Sequence, residues 1–501
     1  LPTVPTGRWR SSANPINGDW PGAGSVRSIA ANASGCCVVS TTDRAEVGSS
    51  RRASTVQILS LGWPMYVGQL AVMANGIIDT AMAGHLSATD LAAVAIGASV
   101  FYTVYVGLMG ALQAISPVAA QHFGGGRPRE VGDTWRQGQW MALALLGPGL
   151  IVLCFPQPLL WIAAAPEAVN ERALQYLHAL AFGLPAALWF RAFTTLNIAV
   201  SRPRVVMAIN LIGPVCKVPL NLLFIGGWEG IPAIGLPGLS PMGGAGCGVA
   251  TAVMYWVSAM IGWLMLRRSE FYRPFAMHGL GRPKWPALKE LLRLGLPIGG
   301  TYLIDVSAFN MVTLMVARLG TETVGGHAIV SNVAAVLYML PLALSGAAGV
   351  LSAQQLGALN PAAARRIAWH GIQLVVGLAV LTAIGLYMLR EPIAHAYTSN
   401  PEVARVAMSL LALVSAYHVF DAMQCTVAFA LRAWKVSVAP MVIFAVSLWG
   451  VGLGAGWGLA FGLGMGVAGF WIAAVVAVAL AGLSLMVLFE RVARRQIDAS
   501  R

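Results

Sequence analysis

Val406-Ala-Met-Ser-Leu-Leu-Ala-Leu-Val-Ser-Ala-Tyr417-His-Val-Phe-Asp421-Ala-Met-Gln424-Cys-Thr-Val-Ala-Phe429 is a run without a lysine or arginine and with a single acid, Asp421. About 20 apolar residues cross a bilayer as a helix, and this run is long enough. A carboxylate inside hydrocarbon costs about 2.5–3.5 kcal/mol on insertion scales, so it faces protein or a watery cavity and marks a candidate functional site. Tyr417, Asp421 and Gln424 fall at i, i+4 and i+7 and share one helix face. For the acid alone, a neutral carboxyl bonded within a helix–helix interface is an equally physical reading. Its partners must come from the rest of the chain.

The composition extends the membrane reading to the whole chain. Hydrophobic residues make up 57% and charged residues only 10%, and similar apolar runs recur along the length. This is the pattern of an all-α polytopic membrane protein; a β-barrel would show short alternating segments. Twelve spans are predicted, near 56–83, 90–116, 138–163, 173–200, 205–226, 245–266, 290–317, 325–352, 367–389, 404–430, 436–459 and 463–489. The net charge of +13 reflects topology, not nucleic-acid binding. The N-terminal segment, the even-numbered loops and the C-terminal tail hold 26 of the 32 lysines and arginines. By the positive-inside rule both termini are cytoplasmic, which predicts a multi-pass membrane protein. The cysteines show no CxxC or zinc-ligand spacing and are expected as free thiols.

The expected organisation is a disordered cytoplasmic extension at 1–54, a first lobe of six spans at 55–266, a cytoplasmic inter-lobe loop at 267–289, a second lobe of six spans at 290–490 and a basic tail at 491–501. The extension begins with Leu, and the first Met is Met65, so either a start codon that does not encode Met or a start placed upstream of the true one is expected. The lobes repeat in sequence. Residues 61–128 laid over 294–361 at an offset of 233 match at about 16 of 68 positions without a gap. Leu61-Gly-Trp-Pro64 falls on Leu294-Gly-Leu-Pro297, and Ala120-Gln-His-Phe-Gly124 on Ala353-Gln-Gln-Leu-Gly357. Six spans separate the copies, so they share an orientation and are related by a pseudo-twofold axis along the membrane normal. Pro64 and Pro297, early in spans 1 and 7, are expected to kink those helices.

Three acids lie well inside predicted spans: Asp79, Asp305 and Asp421. Asn75 precedes Asp79 by one turn. Two cations, Arg191 and Lys217, also fall within spans, with Asn221 one turn beyond Lys217. A mid-span lysine needs a carboxylate or must lose its charge. Asp79 is the one intramembrane acid of the first half, so an Asp79–Lys217 pair, or one polar pocket lined by both, is predicted. Arg191 can snorkel toward an interface.

Taken in order, these motifs resemble the multidrug and toxic compound extrusion (MATE) family, in its bacterial NorM-type branch. The resemblance covers about residues 55–490. It is carried by Ile78-Asp-Thr-Ala-Met-Ala-Gly84, Pro117-Val-Ala-Ala-Gln-His-Phe-Gly-Gly-Gly-Arg127, Lys217-Val-Pro-Leu-Asn221, Gly246-Cys-Gly-Val-Ala-Thr-Ala252, Leu296-Pro-Ile-Gly-Gly-Thr-Tyr-Leu-Ile-Asp305, His327, Asn332 and Tyr417 with Asp421. It implies two lobes around a central cleft and export of cationic amphiphilic compounds in exchange for H⁺ or Na⁺. It further implies a first-lobe proton or cation site at Asp79, with Asn221 and Thr251 as polar neighbours. The second-lobe coupling-cation site it implies is Asp305, Tyr417 and Asp421, with Na⁺ a candidate at the two acids. Asn332, Gln424 and Arg191 are candidate cavity-lining residues. Asp305 stands where NorM-type proteins carry Glu, Lys217 where many relatives have Asn, and Ala328 where a Gln is usual.

No catalytic residue or cofactor is expected beyond the coupling ion. Small cationic organic substrates and membrane lipid are the expected partners, nucleic acid is not, and a monomer is expected. The alternative within transport is a lipid-linked precursor flippase of the same superfamily, against which an interior richer in acids than in cations argues. A polytopic membrane enzyme is the alternative of another class. No HExxH, GxSxG, DDxxD or Walker A motif is present in the sequence.

Overall fold

The computed structural model describes residues 51–163, 166–227, 240–277 and 279–500. Among these it contains twelve helices long and apolar enough to cross a membrane. They are α1 (Arg51–Leu86), α2 (Ala88–Gly124), α3 (Pro128–Cys154), α4 (Glu167–Ala199), α5 (Pro203–Gly226), α6 (Ala245–Arg268), α7 (Trp285–Leu319), α8 (Thr321–Gly357), α9 (Pro361–Met388), α10 (Pro401–Ala433), α11 (Val438–Gly462) and α12 (Val467–Ser500). No strand occurs among the described residues. The protein is an all-α, multi-pass membrane protein with two six-helix lobes, α1–α6 and α7–α12, related by a pseudo-twofold axis along the membrane normal.

Local sequence explains where the helices begin. Proline opens α3, α5, α9 and α10, where its missing N–H has no intrahelical partner to lose. Asn360 and Asn400 cap α9 and α10, accepting backbone N–H bonds from Ala363 and from Glu402 and Val403. The helices run longer than the expected spans. Arg51–Ser54, assigned by the sequence to the extension, already belong to α1, and Ser54 is buried. The rest of the extension lies outside the described residues. The expected tail at 491–501 continues α12 as helix to Ser500. The third span, expected to run to 163, ends at Cys154, and a separate short helix follows at Gln157–Ala163. Pro156 forces that break, because proline disfavours helical geometry in the residue before it; Phe155 sits at φ −123°, ψ 60°. Pro64 and Pro297 lie inside unbroken helices. In α11, residues Ala445–Ala455 and Gly458–Gly462 wind as π-helix, which hydropathy does not signal.

The repeat identifies where the lobes touch. Gly62 of α1 packs on Leu344 of α8, and Gly295 of α7 packs on Ala111 of α2; each residue of one contact is offset by 233 from its counterpart in the other. The same holds nearer the helix ends. A Cβ at Gly124 would overlap the Gln354 carbonyl, and one at Gly357 would overlap that of Gln121. Glycine is required at both because two backbones pass without room for a side chain. The two glutamines finish the seal: Gln121 Nε2 donates to the Ala433 carbonyl at 2.8 Å, and Gln354 Nε2 to the Ala199 carbonyl at 2.8 Å. Both acceptors lie at helix C-termini, where carbonyls are otherwise unpaired. All these contacts lie toward the membrane side on which the arginine-bearing even loops run.

Candidate functional site

Each lobe holds one buried polar constellation. In the first lobe Asp79 projects from α1, Lys217 and Asn221 from α5, and Thr251 from α6. Lys217 is 1% exposed, and its Nζ lies 3.0 Å from Asp79 Oδ2. Asn221 Nδ2 donates to Asp79 Oδ1 at 2.9 Å, and Thr251 Oγ1 to Asp79 Oδ2 at 3.3 Å. The ammonium also donates to Thr251 Oγ1 and, at 3.4 Å, to the Cys247 carbonyl. Both charges are therefore paired and hydrogen-bonded, the condition for burying an ion pair without prohibitive loss of hydration.

Asn75, expected beside Asp79, does not join this group. Its Nδ2 returns to the Ala71 carbonyl of its own helix at 3.2 Å, and Oδ1 is buried without a partner among the described residues. It faces Gly213 of α5 instead. Residues one turn apart share a face, but a short amide reaches its own i−4 carbonyl more readily than a carboxylate further along. No spacing or residue type in the sequence marks the Cys247 carbonyl as a lysine partner. Nor does hydropathy single out Asp90, whose buried carboxyl accepts from Ser87 and from the Gly244 amide at 2.9 Å and pairs with Arg172.

The second lobe is built differently. Asp421 of α10 is buried and accepts from Gln424 Nε2 at 3.0 Å. Asp305 of α7 is half-buried. Among the described residues, neither acid has a cationic partner within salt-bridge distance, and no hydrogen bond joins Asp305, Tyr417 and Asp421. Tyr417 places its ring edge-on to Trp471 of α12, centroids 5.7 Å apart, a favoured geometry for an aromatic pair. Gln424 is buried, with Oε1 unpartnered among the described residues. Two histidines of this lobe bond threonines, His327 with Thr313 at 3.2 Å and His418 with Thr382 at 3.0 Å. Asn332 is exposed and bonds its own helix at the Ala328 carbonyl. Arg191, half-buried in α4, has a buried Nε without a partner among the described residues. The four cysteines among the described residues are free thiols.

Paired helical lobes, each with acids held inside its spans, suit a membrane transporter. The MatE family pattern matches the chain twice, at residues 64–223 and 297–458, and the two matches start 233 residues apart. The chain belongs to the MatE family. It is 40% identical over 439 residues to the probable multidrug resistance protein NorM of Aromatoleum aromaticum, covering 86% of this chain and 93% of that protein. It is 32% identical over 448 residues to the multidrug resistance protein MdtK of Photorhabdus laumondii, covering 88% and 95%. Among solved structures, the eukaryotic MATE transporter AtDTX14 superposes with a TM-score of 0.79 at 17% identity, covering 90% of this chain and all of that one. The Vibrio cholerae MATE transporter VcmN, in its bent form, gives 0.75 at 21% identity, covering 89% and 98%.

Proposed function

We propose that the protein is a secondary active multidrug efflux antiporter. It exports cationic amphiphilic compounds in exchange for H⁺ or Na⁺ and works in the bacterial inner membrane with its arginine-bearing loops in the cytoplasm. The observation that carries the coupling assignment is the contrast between lobes. Asp79 already holds the ammonium of Lys217, whereas Asp305 and Asp421 have no cationic partner among the described residues. An incoming proton or Na⁺ therefore finds its uncompensated carboxylates in the second lobe. A proton on Asp79 would free Lys217, so the first-lobe pair acts as a proton-sensitive switch beside the coupling site.

The seal at Gly124, Gly357, Gln121 and Gln354 holds the lobes together on the cytoplasmic side, which corresponds to a cleft open outward. Neutralising the second-lobe acids shifts the population between this arrangement and its inward-open counterpart and lowers affinity for the cationic drug. The names of the NorM and MdtK relatives support the multidrug reading. The experiment is ethidium efflux from proteoliposomes carrying an imposed pH gradient or an imposed Na⁺ gradient, one at a time. Efflux driven by either gradient, and lost in Asp421→Asn, is the expected result. Ethidium movement indifferent to both gradients would sink the antiport reading.

A further inference from the structure

One helix face of the second lobe runs from its buried acid to a cation that the chain supplies itself. Asp421, Cys425, Phe429 and Arg432 follow at i, i+4, i+8 and i+11 and form one stripe along α10. The stripe descends about 16 Å toward the arginine-bearing side. On α7, Tyr302 lies one turn nearer that side than Asp305. At the foot of the stripe the Arg432 guanidinium carbon is 4.5 Å from the centre of the Phe429 ring and 5.2 Å from that of Tyr302. One of its nitrogens donates to the Tyr302 hydroxyl at 3.2 Å. Closer to Asp421, the Tyr338 hydroxyl of α8 meets the Cys425 thiol at 3.5 Å.

Both rings of this clamp stand at the seam between the lobes. A Cβ added to Gly110 of α2 would come within 2.7 Å of the Tyr302 ring. One added to Gly346 of α8 would meet Met65 of α1 at 2.8 Å and the Phe429 ring at 3.8 Å. The next residue after Arg432 is Ala433, whose carbonyl accepts from Gln121, so the clamp rests directly on the seal. The fold does not demand these side chains. Ala199 and Ala433, the acceptors of the two seal glutamines, set an offset of 234 between α4 and α10. It carries Phe429 onto Thr195 and Arg432 onto Ile198, while the offset of 233 carries Tyr302 onto Gln69. The first lobe thus builds the equivalent helices and the equivalent seal with neither the rings nor the cation.

An arginine at a helix C-terminus gains from the helix dipole and can reach water by extending past the helix end. Arg432 does the reverse. It folds back over Phe429, three residues earlier, and is half-buried. An aromatic face holds a cation through its ring electrons, the more firmly as water is excluded, and it does so for an organic ammonium as for a guanidinium. We propose that Arg432 is a tethered stand-in for the cargo: its guanidinium fills the Phe429–Tyr302 clamp while the seal is closed, and the cationic group of the exported compound fills it when Arg432 swings out. A competitor on the same helix acts at the high effective concentration of an intramolecular ligand. Closing the seal therefore returns Arg432 to the rings and displaces the cargo along the stripe. Resting on the reading of the protein as an exporter of organic cations, this role makes Arg432 the residue that sets how tightly such a cation is held. Asp305 and Asp421 are left to the coupling ion.

The test is equilibrium binding of ethidium to the full chain in detergent, read by fluorescence anisotropy. Arg432→Gln should bind ethidium about tenfold more tightly than the parent, the scale of one vacated cation–π site. Arg432→Ile installs the residue that the first lobe carries at this position and should give the same gain. Arg432→Lys keeps a tethered cation and should stay within about threefold of the parent. Phe429→Leu added to Arg432→Gln should remove the gain. In proteoliposomes Arg432→Gln should lower KM and kcat of efflux together, since the cargo is held where it should be released. An arginine with a merely structural role would lower the unfolding temperature when replaced and would not raise affinity. Ethidium bound no more tightly by the Gln and Ile variants than by the parent overturns the proposal. So does an equal gain for the uncharged dye Nile red, which would mean that the variants only make room. Binding is measured without an ion gradient, so its failure is distinct from gradient-indifferent efflux, the result that sinks the antiport reading.

Discussion

The two lobes share a backbone plan and diverge in charge. Gly62 and Gly295, Gly124 and Gly357, and Gln121 and Gln354 make matched contacts across the pseudo-twofold axis. The acids do not match: the offset carries Asp79 onto Val312, and Asp305 and Asp421 belong to the second lobe alone. Packing at an interface between copies is constrained from both sides at once, so a change in one half must be answered in the other. A buried charge is constrained only by its own neighbours. That leaves one lobe free to fill its acid with a resident lysine and the other free to keep its acids open to a passing ion.

Given that division of labour, the largest effect comes from Asp421. Asp421→Asn keeps the size of the side chain and a carbonyl to accept from Gln424, so the fold is retained. Ion-driven ethidium efflux should fall by about 100-fold or more, because a ligand with equal affinity for both states shifts no equilibrium. Efflux within a few-fold of the parent would place coupling elsewhere and erase the contrast.

Lys217 tests the other side. At an effective dielectric of about 20, unit charges about 4 Å apart attract by roughly 4 kcal/mol, set against their desolvation. Lys217→Ala leaves Asp79 buried without its cation, and removing one member of a buried pair costs about 3–5 kcal/mol. The unfolding transition should drop accordingly, and Asp79→Asn added to it should restore most of the loss. The double variant sharpens the comparison. Recovery of both stability and coupling marks a plain ion pair; recovery of stability with coupling still impaired marks the switch.

The shared plan has its own test. Gly124→Ala and Gly357→Ala each force a Cβ against a backbone carbonyl, and overpacking of this kind costs about 1–3 kcal/mol. Both should weaken the arginine-side seal, and by similar amounts, read as a shift in the distance distribution between spin labels on the facing ends of α2 and α8. A large shift from one glycine and none from the other would show that the contacts are symmetric in sequence but not in energy.

Much of this was legible in the sequence, and the reasons are physical. Hydropathy sets the number of spans because each must bury about 20 apolar residues, and Gly, Pro and Gln recurring at one offset reveal the lobes. The Asp79–Lys217 contact follows from the cost of leaving either charge alone. Three things did not follow. Asn75 was lost to a competing bond with its own helix at Ala71. The edge-on contact of Tyr417 with Trp471, a distant partner in the chain, is one that no spacing rule supplies. The π-helical turns of α11 lie in a glycine-rich stretch whose hydropathy is the same for either winding. Sequence patterns report what must be buried; they are silent where two satisfactory partners compete.

The smallest effect, and the finest test of the second lobe, is a single methylene. Asp305 is half-buried and makes no hydrogen bond among the described residues, so a longer side chain meets no existing partner that it must displace. Asp305→Glu lengthens the carboxylate by one methylene and leaves Asp421 its own bond to Gln424. Loss of proton-driven efflux should stay within about fourfold, the scale of one methylene's transfer energy, since a proton needs only one carboxylate. Na⁺ gains more from two carboxylates within reach of one ion, so the Na⁺-driven component should rise relative to the proton-driven one. The measurement is the ratio of ethidium efflux rates under the two imposed gradients, which cancels differences in protein insertion. A ratio unchanged from the parent would mean that Asp305 does not share an ion with Asp421. The second-lobe site would then reduce to one acid, and the lobes would differ only in whether that acid carries a lysine.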